Sequence, residues 1–129
     1  MLKTRILNPQ VLSLVARVRH TNALVIADQG FPFWPQIETL DISLMDDIPT
    51  VLQVLSALRP EFKVIQAYMA REFRKTNTRA TQDALTKAFG NIRLTYEPHI
   101  KFKKRVPGAI GLIRSGDTLP YANVILISG

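Results

Sequence analysis

Residues 20–32 read His20-Thr21-Asn22-Ala23-Leu24-Val25-Ile26-Ala27-Asp28-Gln29-Gly30-Phe31-Pro32. Leu24 to Ala27 is a short apolar run, and Asp28-Gln29-Gly30 ends it with a turn signal, so the run reads as a buried strand. That strand delivers a carboxylate to a loop. Upstream, Asn8-Pro9 reads as an N-cap and an N1 proline. Val11, Leu14, Val15 and Val18 follow helical spacing, which predicts a helix over 9–18. His20-Thr21-Asn22 separates this helix from the strand.

Downstream, Leu40 to Leu44 reads as a second strand. Asp46-Asp47 supplies negative charge ahead of a helix beginning near Pro49 and stopped by Pro60. A strand is expected from Phe62 towards Met69. Helix follows over Arg71 to Phe89, broken near Asn77 and closed by Gly90. Ile92–Tyr96 is a strand, Ile100–Arg105 a short basic helix, and Ala109–Ile113 and Asn123–Ile127 the last two strands. Helices alternating with strands predict an α/β domain with a mixed sheet. The two final strands, with Arg114-Ser115-Gly116-Asp117 turning between them, suggest an antiparallel pair.

The 129 residues fit one domain, 1–129, and 47% are apolar, as in a globular chain. No apolar run approaches the ~18 residues of a membrane span. There is no cysteine, which excludes disulfides and thiolate chemistry. No leader is recognisable, and the expected compartment is the cytoplasm. The net charge of +7 lies in the second half, since residues 1–70 carry equal numbers of acidic and basic groups. A basic half fits nucleic acid, another anionic partner or a solvated surface.

The chemistry-bearing residues are few. Asp28 fits a ligand-binding carboxylate and equally a residue bonding its own turn. His20 and His99 are the only histidines. Histidine moves protons near neutral pH, but His20 taken alone also fits a helix-end residue, and His99 a loop residue. Their spacing matches no zinc motif, and no phosphate loop, dinucleotide fingerprint or nucleophile elbow is present. No metal or cofactor is therefore expected. Lys101, Lys103, Lys104 and Arg105 enclose Phe102, a pattern that fits a solvated helix face with one buried ring better than a nucleic-acid patch. Tyr121 and Asn123 are two apart at a strand opening, and both donate and accept hydrogen bonds, as a polyhydroxylated ligand needs.

The ordered set is more specific than its members. His20-Thr21-Asn22, Asp28-Gln29-Gly30-Phe31-Pro32, His99 with Phe102-Lys103, and Ile113-Arg114-Ser115-Gly116-Asp117 followed by Pro120-Tyr121-Ala122-Asn123-Val124-Ile125-Leu126 resemble the D-ribose pyranase / L-fucose mutarotase family (RbsD/FucU). The resemblance implies a three-layer α/β/α fold with a mixed sheet of about six strands. It implies a homo-oligomeric ring, commonly a decamer, with sites at contacts between subunits. It implies that His20 is the general acid and that Asp28, His99, Tyr121, Ala122 and Asn123 bind a free monosaccharide. His99 and Ala122 place the chain nearer the ribose branch. Arg19 stands where the family usually has glycine and Asn22 where it usually has aspartate, while Phe33-Trp34 enlarges the loop near Asp28. The expected activity is ring opening and reclosure of a ribose-like sugar by acid–base catalysis. The competing readings are a non-catalytic sugar-binding or regulatory protein and, ranked lower, a nucleic-acid-binding module.

Overall fold

The computed structural model describes residues 1–129. Asn8 caps the first helix, α1 (Pro9–Ala16), by accepting the Val11 N–H at 3.0 Å. After a turn at 20–22 comes β1 (Ala23–Ala27). Then follow β2 (Glu38–Asp41), α2 (Val51–Leu58), β3 (Val64–Ala70), α3 (Arg71–Thr76), α4 (Arg79–Phe89), β4 (Arg93–Glu97), α5 (His99–Arg105), β5 (Gly111–Arg114) and β6 (Val124–Ser128). Short 3₁₀ turns lie at Arg59–Glu61 and Val106–Gly108.

The strands form one sheet in the order β2-β5-β1-β6-β3-β4. Neighbours are parallel except at β6, which is antiparallel to both β1 and β3. The carboxyl ends of five strands and the start of β6 therefore share one edge. β1 sits inside the sheet with both faces covered, which explains its unbroken apolar run. Leu24 and Ile26 pack with Leu14, Leu55, Phe73 and Phe89 from α1–α4. Val25 and Ala27 face the other way, against Phe31, Phe102 and Val106 on the α5 side. Alternation along one strand thus builds two cores and three layers, the expected α/β/α mixed-sheet fold.

Three local expectations need correction. β5 and β6 do not pair with each other, because each pairs with a different side of β1. The nine residues between them cross an inserted strand instead of closing a hairpin. The second strand lies at Glu38–Asp41, not Leu40–Leu44. Its only partner, β5, is itself four residues long, and Ser43 turns to bond Asp41 beyond it. α2 starts at Val51 behind a Thr50–Gln53 capping box, with a cis Ile48–Pro49 bond before it. The carboxylate at its first turn is not Asp46 or Asp47 but Asp117, whose Oδ2 accepts the Val51 N–H at 2.8 Å. Asp47 instead accepts from the N–H and hydroxyl of Thr118.

Candidate active site at the carboxyl edge

Four sequence-selected residues gather where β1 and β4 end and β6 begins. The amide oxygen of Asn123 accepts the Asp28 N–H at 2.7 Å. That bond fixes the amide orientation, since only the oxygen accepts, and leaves the NH₂ group to the Asp28 carboxylate. The N–H groups of Gly30 and Phe31 also face that carboxylate. Asp28 does bond its own turn, and it does so inside a larger polar cluster. Burial pushes its pKa up, and these hydrogen bonds oppose the rise without cancelling it. An open pocket of about 310 Å³ lies alongside, lined by Asp28, Gln29, Gly30, Asp117, Thr118, Leu119 and Pro120.

His99 is the first residue of α5, directly after β4. Both Glu72 oxygens accept its backbone N–H, at 3.1 and 3.2 Å. Its ring stacks on Phe102 and meets Tyr121 edge-on, with centroids 5.0 Å apart in the second pair. Burial, then the nearby Lys103 ammonium, lower its pKa, so the ring is neutral at pH 7. Its Nδ1 is buried without a partner. An orphaned N–H there would cost more than an idle lone pair, so the proton belongs on Nε2, which is then a donor.

Tyr121 adopts φ 59° and is the hinge into β6. Its placement beside His99 follows from that left-handed turn and not from strand alternation with Asn123, because β6 begins only at Val124. Asn77 holds the preceding carbonyl, Pro120 O, at 2.9 Å. Ala122 is buried in the main core, backbone and methyl group alike, so within one chain it presents no surface to a ligand.

His20 is elsewhere. It is exposed in the turn before β1, at the sheet's amino edge. There Thr21 N–H donates to Ser128 O and Ser128 N–H to Asn22 O, both at 2.9 Å. The five residues of β1 separate His20 from Asp28 by roughly 16 Å within one chain. Its unusual neighbours serve the turn. Arg19 donates to the carbonyls of Ala16 and Val18, and Asn22 Oδ1 accepts the Arg19 N–H at 2.7 Å.

Several supporting residues carried no distinctive sequence signal as site residues. Ser115 donates to Ala27 O at 2.7 Å and accepts the Asp117 N–H, and Asp117 O accepts the Gln29 N–H. Gly116 lies so close to the Met45 and Ile48 carbonyls that a Cβ would collide with them. On α5, Arg105 pairs with buried Glu97 at 2.6 Å and covers the Tyr68 ring, and Lys101 lies 3.9 Å from Glu97. Half of the basic cluster is thus tied to one carboxylate, and Phe102 is fully buried. No three His, Asp or Glu side chains converge as metal ligands. No helix is long and apolar enough to cross a membrane.

Comparison with known proteins matches this geometry to a family. The chain is 35% identical to a D-ribose pyranase of Salmonella agona and 32% identical to one of Clostridium novyi, covering all of this chain and 98% of each relative. Its structure is similar to that of Bacillus subtilis RbsD complexed with D-ribose, with a TM-score of 0.93, 32% identity and coverage of 100% and 98%. A Streptococcus pneumoniae fucose mutarotase in complex with L-fucose shares the fold at a TM-score of 0.80 and 18% identity, with coverage of 99% and 98%. The family model for RbsD / FucU transport proteins matches residues 1–129, and this chain belongs to that family.

Proposed function

We propose that this protein is an isomerase that interconverts ring forms of a free monosaccharide, as a D-ribose pyranase does. The observation that carries the reading is the polar cluster of Asp28, Asn123, His99 and Tyr121 at the carboxyl edge. Its similarity to D-ribose pyranases and to a ribose-bound relative supports ribose as the first substrate to test.

Opening a hemiacetal removes a proton from the anomeric hydroxyl and gives one to the ring oxygen as the C1–ring-oxygen bond breaks. Asp28, made more basic by burial, accepts the hydroxyl proton. His99 Nε2–H, the Tyr121 phenol and the Asn123 amide hold the sugar and the open-chain carbonyl, with Ala122 packed behind them. His20 supplies the ring-oxygen proton. Reclosure through a different hydroxyl, or on the other face of the carbonyl, gives a new ring size or anomer. The protein's groups suffice for these proton transfers without a cofactor.

Because His20 lies at the opposite edge, this mechanism takes it from a second copy of the chain. A head-to-tail contact between unlike edges closes into a ring when its rotation allows, in keeping with the decamer that the family resemblance implies. We assign residues 1–129 to a single domain, supported by its one continuous sheet. We propose the cytoplasm as its compartment. Magnetisation-exchange NMR on ribose, with fucose and other sugars as comparisons, tests the reading. Accelerated exchange that disappears in His20→Ala is the expected result. Sugar-induced thermal stabilisation without faster exchange would instead make this a sugar-binding or regulatory protein.

A further inference from the structure

The loop carrying Asp28 is gripped from behind by one side chain. Arg114, the last residue of β5, directs Nη1 to the carbonyls of Asp28 (3.4 Å), Gln29 (3.1 Å) and Phe31 (2.6 Å). Its Nη2 reaches Pro32 O at 3.4 Å. A single guanidinium thus gathers carbonyls from four of the five residues 28–32. The N–H groups of Gly30 and Phe31, meanwhile, face the Asp28 carboxylate.

These two facts are linked. In a trans peptide the N–H and C=O point in opposite directions across a rigid plane. Drawing the Gln29 carbonyl to Arg114 therefore turns the Gly30 N–H of the same peptide to the other side, where the Asp28 carboxylate lies, while the Phe31 N–H closes the turn on the Asp28 carbonyl at 3.4 Å. The Phe31 ring, buried beneath the loop, fixes which side faces the core. Arginine suits this task because its planar fork presents five donors, whereas a lysine ammonium cannot span several carbonyls in the same fixed geometry. The side chain is also committed to carbonyls, as no carboxylate lies within ion-pair distance of it.

We propose that Arg114 is a positioning residue for ring opening: it gathers the loop carbonyls so that Asp28 and the Gly30 N–H beside it meet the sugar in one fixed geometry. The proposal rests on the ring-opening reading, but its structural half can be tested without turnover. Arg114 acts through Asp28 and makes no contact with the sugar.

The test compares Arg114→Met and Arg114→Lys with the wild type. Exchange NMR gives kcat and KM, and carbon NMR of labelled aspartate follows the Asp28 carboxyl titration. Both variants should lose kcat by about 10–100-fold, the scale of a displacement near 1 Å at a reacting group. In both, the Asp28 carboxyl should titrate higher than in the wild type, because lysine keeps the charge and loses the carbonyl clamp. A change in Arg114→Met alone would show that charge is what matters and would overturn the proposal. Unchanged titration and kcat in both variants would overturn it as well. If Arg114→Met fails to fold, Arg114→Lys together with Arg114→Gln decides the same question. A wild type without exchange activity would sink the ring-opening reading, while the Asp28 titration would still decide whether the clamp exists.

Discussion

At the carboxyl edge of the sheet, polar groups are buried and bonded across long stretches of chain. Asn123 is tied to Asp28, Asp117 to Val51, Ser115 to Ala27 and Glu72 to His99. At the amino edge, His20 stands exposed on a turn made almost entirely by its own neighbours, Arg19 to Asn22. The first edge is preorganised, since bonds from distant elements brace it. The second is a projection, braced only at its base by Ser128. The proposed mechanism joins the two edges by bringing the His20 turn of one copy to the Asp28 edge of another.

The largest expected effect breaks that division directly. His20→Ala and Asp28→Ala should each lower sugar exchange by about 10²–10⁴-fold, the usual contribution of one acid or base. Co-assembled in equal amounts, the two variants should regain activity at about a quarter of their sites, because random pairing gives that share an intact His20 opposite an intact Asp28. Recovery absent from well-mixed oligomers would place both residues in one chain's site.

The next effect probes how tightly the carboxyl edge is braced. Gly116→Ala puts a methyl group against the Met45 and Ile48 carbonyls and should cost about 2 kcal/mol by chemical denaturation.

A smaller effect has the opposite sign. The Asp28 pKa is raised in the fold, so its contribution to stability is full below the ordinary carboxylate range and is lost as pH rises through the raised value. At pH 7 the ionised group therefore weakens the fold. Asp28→Asn should raise the neutral-pH Tm by about 2 °C after solvent screening, with the gain vanishing below about pH 4. A variant that melts lower than wild type at neutral pH would contradict the burial argument.

The smallest effect belongs to the amino edge. Arg19→Ala removes one bond to the end of α1, at Ala16, and one to Val18 in the turn after it, and should cost about 0.5 kcal/mol in thermal melts. A much larger loss would mean that this turn is braced as firmly as the carboxyl edge.

Much of this was legible in the sequence because it is local. Asn8-Pro9 marks the start of α1, the apolar run before Asp28 marks β1, and Gly90 marks the end of α4, each through the conformational preference of a few adjacent residues. The proposed site residues were legible only as an ordered set. Asp28 and Asn123 are 95 positions apart, and no spacing rule joins them. The bracing was hidden for the same reason. Asp117 serves the first turn of α2 from 66 residues away, a place that nearby Asp46 and Asp47 fit equally well by sequence.

The sequence by itself determined the helices, most of the strands, the α/β class and the identities of the polar residues, since periodicity and turn chemistry act within a few residues. Tertiary structure alone decided that β1 separates β5 from β6 and that a left-handed Tyr121 meets His99. It also decided that Arg114 clamps the Asp28 loop and that His20 stands at the far edge. Those outcomes depend on which strands become neighbours, and strand order is set by burial of both sheet faces together, a property that no local stretch of sequence contains.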